Sequence, residues 1–319
     1  MNERTKTESS SPYFSIVIPA YNEEEHISSC LQSVFNSDYD SAQYEVIVVD
    51  NGSQDNTYDI ALNSERARVF QLLEGNVGAV RNYGAAKARG QILVFIDADC
   101  LMDKDWLNRA EKLAKDHPNC AYGGGVKLPD DATWIETSWL LENKGRPTLP
   151  KHLVGASTML SRELFFEIGG FDELMSSGED TDLHTRLTTK KTIVLICHAL
   201  DVTHLGNAKT CLQFIKRQVW HSENYLVNLK ISLRDPVFII TLTFIFTIIF
   251  FIIQSFFLSS RAIAIVSLSL CLLLPAVLSF KRMSRAGYFT LMPNILVKIY
   301  AADSLYLIGR SIGLLKGVR

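Results

Sequence analysis

The sequence predicts an α/β fold, a mainly parallel sheet flanked by helices, followed by a hairpin of two apolar helices. Three observations lead there. Short β-branched runs alternate with longer helix-like stretches in the N-terminal part, the pattern of a parallel sheet with right-handed crossovers. Those runs are almost continuously apolar, as strands are when helices cover both sheet faces. Near the C-terminus two long stretches carry no charge at all, 237–258 and 262–280, and each is long enough to cross a bilayer as a helix.

The elements can be taken in order. Residues 1–12 are polar and lack the apolar core of a signal peptide, so they are expected to form a flexible tail. "FSIVIPA" (14–20), "YEVIVVD" (44–50), "ARVFQLL" (67–73) and "QILVFID" (91–97) read as strands, with helical patterns at 24–36, 55–65 and 77–89 between them. In such sheets the ligand lies outside the carboxyl ends of the strands. Three strands end there in polar signals, "PAYNEE", "VDNGSQDNT" and "DADC". The turn after the first strand has no glycine, which argues against the G-x-G-x-x-G of a dinucleotide oxidoreductase. A catalytic-type domain is therefore expected over 13–208. After it, 209–236 mixes Phe214, Ile215, Trp220 and Leu226 with Lys216 and Arg217, and reads as an amphipathic helix on a membrane surface.

The apolar run at 237–258 holds 22 residues, and a helix of that length spans about 33 Å against a hydrocarbon core of about 30 Å. The second run contains Pro275, which membrane helices tolerate. The expected membrane hairpin is 237–280. Lys216, Arg217, Lys230 and Arg234 precede it and Lys281, Arg282 and Arg285 follow, with only Arg261 at its tip. The positive-inside rule then places the large domain and the C-terminus in the cytoplasm, as a multi-pass protein of the inner membrane. The segment 281–319 is expected to be basic and amphipathic, lying in the interface.

Charge is divided unevenly. The chain totals −2 at neutral pH, yet from residue 237 onward Asp303 is the sole acidic residue. An acidic N-terminal part thus precedes a basic, apolar tail, and its basic residues flank hydrophobic runs rather than forming a stripe, which excludes a nucleic-acid surface. Six scattered cysteines with no C-x-x-C pair point to reduced thiols and argue against a disulfide frame or a zinc site.

Asp97 and Asp99 stand at the end of the fourth strand, separated by Ala98. Two carboxylates so close repel each other unless a cation sits with them. Oxygen ligands suit a hard ion, Mg²⁺ or Mn²⁺, whose use would be to neutralise a departing diphosphate. In "GEDTDL" (178–183), Asp180 is one of three clustered acids, and spacing alone does not separate a proton acceptor from an acid at a helix start. Glu179 beside it would raise its proton affinity, and the helix macrodipole also favours acids there.

In sequence order, "SIVIPAYNEEEHISSCLQSV", "YEVIVVDNGSQDNT", "NVGAVRNYGAAKARGQILVFIDADC" and "VGASTMLSRELFFEIGGFDELMSSGEDTDLHTRL" resemble the glycosyltransferase family 2 enzymes of the GT-A fold, over about 14–205. The resemblance implies a Rossmann-like sheet and a metal-dependent, inverting transfer of a sugar from a nucleotide-diphosphate donor, most often a UDP-sugar, to a lipid-linked saccharide in envelope or exopolysaccharide synthesis. It implies that Tyr21 and Asp50 contact the base, with Pro19 and Glu23 beside them. Arg81 is implied at the diphosphate, though a solvated arginine on a helix face fits its pattern as well. Asp97 is implied as a ribose or metal contact, Asp99 as the main metal ligand and Asp180 as the catalytic base with Glu179. His204 is implied as completing the metal shell or touching the diphosphate, although an isolated histidine is more often structural.

The residues carry further expectations. Asn51, Gly52 and Ser53 read as a tight turn, Asp55 as a helix N-cap, and Asp182 and Arg186 as an i,i+4 pair. Trp134, Trp139 and 142–152 are expected to shape the acceptor pocket, with core packing as the alternative for each Trp. The family's processive members carry Q-x-x-R-W. Here "QFIKRQVW" (213–220) lacks that spacing, which favours single transfers. Two rivals remain open: a polyprenyl-phosphate acceptor, and a non-catalytic membrane scaffold of the same fold.

Overall fold

The computed structural model describes residues 12–175, 177–222, 225, 229–233, 235–257, 261–290 and 292–316. The expected tail up to residue 11, the hairpin tip at 258–260, Leu226 and the flanking Arg234 lie outside the described residues. The chain forms two compact units, one of Met1–Lys127 and Leu149–Gly206, the other of Leu128–Thr148 and Asn207–Arg319. The continuous domain expected over 13–208 is therefore interrupted, since 128–148 groups with the second unit.

In chain order the first unit contributes β1 (Phe14–Ala20), α1 (Ile27–Phe35), β2 (Tyr44–Asp50), α2 (Thr57–Leu62), β3 (Ala67–Gln71), α3 (Val77–Lys87), β4 (Ile92–Phe95), β5 (Cys100–Leu101), α4 (Trp106–Asp116), β6 (Ala121–Gly123) and β7 (Val126–Lys127). The inserted segment of the second unit forms α5 (Trp134–Trp139) and the short pair β8 (Glu142–Asn143) and β9 (Arg146–Pro147). The first unit resumes with β10 (Thr158–Ser161), α6 (Arg162–Glu167), α7 (Glu179–Thr189), β11 (Val194–Ile196) and β12 (Val202–His204).

Seven strands make one sheet in the order β11-β6-β10-β4-β1-β2-β3. Strands β3, β2, β1 and β4 run parallel, as their apolar sequences predict. Strand β10 is antiparallel to both β4 and β6, so the sheet is mixed on that side. Alternate residues of each strand face opposite ways. Ile16, Ile18, Val46 and Val94 pack into one core, while Val17, Ile47, Leu93 and Phe95 pack into another on the other face. Helix α1 covers the first face with Ile27, Cys30, Leu31 and Val34, an i, i+3, i+4, i+7 stripe. Burying each large apolar side chain of such a stripe is worth about 1.5–3 kcal/mol. A small second sheet, β5-β12-β7, pairs His204 with Cys100. That register matters for the site below.

The second unit is helical: α8 (Cys211–Ser222), α9 (Leu229–Ser232), α10 (Pro236–Phe257), α11 (Arg261–Ala286) and α12 (Pro293–Lys316). Two stretches, Pro236–Gln254 in α10 and Ala262–Ala286 in α11, are long and apolar enough to cross a membrane. Helix α12 covers the segment expected to lie as an amphipathic surface helix, but it carries a buried face that includes Ile299, Ala302, Asp303 and Leu307. Gly309 and Gly313 bring its backbone onto α8: a Cβ on Gly313 would stand 2.4 Å from the Val219 carbonyl oxygen and 2.0 Å from Ser222 Oγ. Small residues four apart allow such close helix contact. Trp139 stacks on Tyr306 and meets Phe214 edge-on, so of its two expected roles the structure displays core packing.

Candidate active site

The site is built at the carboxyl ends of β1, β2 and β4. Pro19 is half-buried near the end of β1 and Tyr21 lies just beyond it, 55% exposed. Asp50 ends β2 and is fully buried. Its Oδ1 accepts from the backbone N–H groups of Gly52 and Ser53 at 3.1 and 3.2 Å and from Gln71 Nε2 at 3.3 Å. The Asn51-Gly52-Ser53 turn is thereby fixed to the strand end. The loop after β1 is tied to it: Asn22 N–H donates to Ser53 Oγ at 2.9 Å, Glu23 N–H to Thr57 Oγ1 at 2.7 Å, and Glu24 Oε2 accepts from Asn56 Nδ2 at 2.8 Å. Asp55, expected as N-cap of α2, stands one residue before the N-cap Asn56, yet its Oδ1 still accepts the Thr57 N–H at 3.0 Å. The loop backbone sets the cap one residue later than the side-chain pattern suggests.

After β4, Asp97 and Asp99 part company. Asp97 Oδ1 accepts from Arg81 Nη2 at 2.6 Å. Asp99 turns to the small sheet, where the register of β5 with β12 brings its Oδ2 to 3.5 Å from His204 Nε2. Ligands in adjacent positions of an octahedral ion, each about 2.1 Å from it, are separated by about 3 Å, so this carboxylate and imidazole fit one hard divalent cation. Gly206 is what leaves the carboxylate its place, because a Cβ there would stand 2.0 Å from Asp99 Oδ2. Cys100 Sγ joins the same close group. Burial, then Asp99 and Asp97, push its thiol well above the usual range, which keeps it a neutral thiol and a poor partner for a hard ion. Asp97, expected in the metal shell, is outside this group.

Arg81 is neither solvated nor free on its helix face. It is buried, and while Nη2 holds Asp97, Nη1 donates to Glu179 Oε1 at 2.6 Å. Burial pulls its pKa down, but the charges of Asp97 and Glu179 outweigh that and raise it. Burial raises the pKa of Glu179, against the pull of Arg81 and with the push of Asp180. Glu179 opens α7 after Gly178, whose φ is +83°, and Asp180 follows. The Asp180 carboxylate accepts from the Gly155 N–H at 3.1 Å and from the Thr181 N–H at 2.6 Å. Asp182 pairs with Arg186 at 2.7 Å, as their spacing predicts, and Arg186 also donates to the Ile168 and Gly170 carbonyls.

The structure thus joins Asp97, Arg81 and Glu179 in one chain of ion pairs, with Asp180 next to Glu179 in sequence, and brings Asp99 near His204 in another group. Sequence reasoning missed Gly155, whose backbone N–H holds Asp180, and Gly206, which clears space for Asp99. Both are backbone roles that no side-chain pattern announces.

Residues 15–169 match the family model described as glycosyl transferase family 2. Glycosyltransferase AglE of Haloferax volcanii is 31% identical over 217 residues, a match covering 65% of this chain and 71% of that protein. Dolichyl-phosphate beta-glucosyltransferase of Drosophila melanogaster is 41% identical over 99 residues, covering 27% of this chain and 30% of that one. Among solved structures, a mannosyltransferase from Pyrobaculum calidifontis in complex with GDP-Man and Mn²⁺ matches with a TM-score of 0.60 at 19% identity, over 96% of this chain and 87% of that one. That last likeness is one of fold.

Proposed function

Because the chain belongs to glycosyl transferase family 2, we propose that it moves a sugar from a nucleotide-diphosphate donor, a UDP-sugar by preference, to a lipid-linked saccharide, with inversion at the anomeric carbon. The observation that carries this reading is the pair of 2.6 Å bonds by which Arg81 ties Asp97, on the side of the metal group, to Glu179, next to the base. One guanidinium thereby spaces the donor side from the acceptor side.

Asp180 takes the proton from the acceptor hydroxyl as that oxygen attacks the sugar. The Gly155 and Thr181 amides aim its carboxylate toward that role as general base. No protein nucleophile intervenes, so the anomeric centre inverts. Asp50, fixed at the end of β2, and exposed Tyr21 offer a carboxylate and a π-face to the base, with Pro19 and Glu23 flanking them. Asp99 and His204 would hold Mg²⁺ or Mn²⁺, and the ion's charge favours departure of the diphosphate. The spans in α10 and α11 support an inner-membrane protein with its catalytic unit on the cytoplasmic side, where a lipid-borne acceptor is at hand.

The dolichyl-phosphate relative favours a second reading, a lipid-phosphate acceptor. A phosphate oxygen needs little base catalysis. Asp180→Asn separates the two: transfer of label from sugar nucleotides to a saccharide-lipid should fall by about 10²–10⁴-fold. Unchanged transfer to a polyprenyl phosphate by the same variant would replace the first reading with the second.

A further inference from the structure

The polar side chains of α3 reach across to the segment that leads into the base. Asn76, its N-cap, accepts the Ala79 N–H on Oδ1 at 3.0 Å. With Nδ2 it donates to two carbonyls of that segment, Glu173 O at 2.7 Å and Met175 O at 2.6 Å. Asn82 exchanges bonds with the Phe171 backbone in both directions, each at 2.9 Å, and donates to Glu173 Oε1 at 2.8 Å. Arg81 completes the row with its bond to Glu179. Phe171 anchors the start of the segment in the core against Phe95 and Phe165, but Leu174 in its middle is 95% exposed, so the path beyond Phe171 has no apolar anchor at that point and depends on these polar bonds.

We infer that Asn76 is a positioning residue for acceptor transfer: helix α3 clamps 171–175, and through it sets where Asp180 stands relative to the carboxylates after β4. The inference rests on the reading of Asp180 as base. Its chemistry follows from the amide. A primary amide presents one acceptor and two donors, and Asn76 spends the acceptor on its own helix and both donors on the segment. The two duties can be divided, because Asp is as good an N-cap as Asn and its charge suits a helix N-terminus, but a carboxylate cannot donate to the Glu173 and Met175 carbonyls.

Asn76→Asp is therefore the test, with Asn82→Asp as a second variant that removes the neighbouring donor. Three readouts on the full chain decide. Backbone hydrogen exchange in 171–179 should quicken about tenfold or more, while exchange in β1 and β2 stays as in the wild type. The dissociation constants of UDP and GDP, each with Mn²⁺, should stay within twofold. Transfer of label from a sugar nucleotide into lipid extract should drop at least tenfold in kcat, with the donor KM unchanged. Unaltered exchange in 171–179, undiminished transfer, or loss of nucleotide binding together with transfer would each overturn the clamp. If the wild-type protein shows no sugar transfer at all, the functional reading fails and the exchange readout still decides the clamp by itself.

Discussion

Each unit of the molecule buries an arginine against carboxylate, and the two clusters are balanced differently. In the helical unit Arg282 meets Asp303 at 2.6 Å, Asp303 also accepts from Ser279 at 2.6 Å, and Arg282 donates to the Trp139 carbonyl at 3.0 Å while lying over the Trp139 ring. One cation meets one anion, with side chains only 18% and 3% exposed. In the α/β unit one Arg81 serves both Asp97 and Glu179, with Asp180 and Asp99 close by in sequence, and Asp97 remains 29% exposed. The first cluster is neutral and closed. The second holds more carboxylates than cations, a surplus that a divalent cation would offset under the proposed function. The difference teaches that, on the proposed function, the charge balance of a buried cluster rather than its presence separates a structural tie from a functional one.

The sharpest way to break this comparison is to remove each arginine. Arg282→Met leaves Asp303 buried without its cation and should cost about 3–5 kcal/mol. Thermal unfolding in detergent would read that as a large drop in Tm, while binding of nucleoside diphosphate to the protein that remains folded should be unchanged. Arg81→Met should lower Tm and also abolish sugar transfer. Equal loss of nucleotide binding in both variants would erase the distinction.

A smaller effect is expected where the helical unit relies on shape alone. Gly313→Ala forces a methyl group to within 2.4 Å of the Val219 carbonyl. Overpacking of this kind costs about 1–3 kcal/mol, read as a lower Tm with transfer per folded molecule retained. A Tm equal to that of the wild type would show that α12 does not depend on this close approach.

The smallest effect belongs to a third cluster, where cations are in excess. Glu45 accepts from Ser15 Oγ at 2.7 Å, from the Arg89 N–H at 2.6 Å and from Arg68 at 2.7 Å. Burial would raise its pKa, but those bonds outweigh it and the pKa is lowered. A carboxylate whose pKa is depressed by folding contributes stability above its free value of about 4.3, and loses it as pH falls through the lower folded value. Glu45→Gln should therefore cost about 1.5 kcal/mol at pH 7 and less at pH 3. A stability gap that is the same at both pH values would contradict this.

Much of the α/β unit was legible. Strands β1 and β2 begin and end where their apolar runs do, because β2 is buried along its whole length and β1 at every position but Pro19. Strands β6 and β10 were not seen, and their shortness explains it: β6 holds three residues and β10 four, too few for a period to emerge. The carboxylates of the site were legible as motifs. Their pairing was not, since the choice of Arg81 as partner for Asp97, and of His204 as neighbour for Asp99, is made by sheet register and helix packing over long separations in sequence. The partner of Asp303 was hidden for a related reason: the arginine that pairs with it, Arg282, stands on another helix.

The central claim is that the surplus of carboxylates at the ends of the strands recruits a divalent cation and, with it, a nucleoside diphosphate. Calorimetric titration of UDP and of GDP into the full-length protein tests it most directly, with Mn²⁺, with chelator, and with Asp99→Ala. The account predicts saturable binding with Mn²⁺ that disappears both with chelator and in the variant. Binding of equal strength under all three conditions would contradict it.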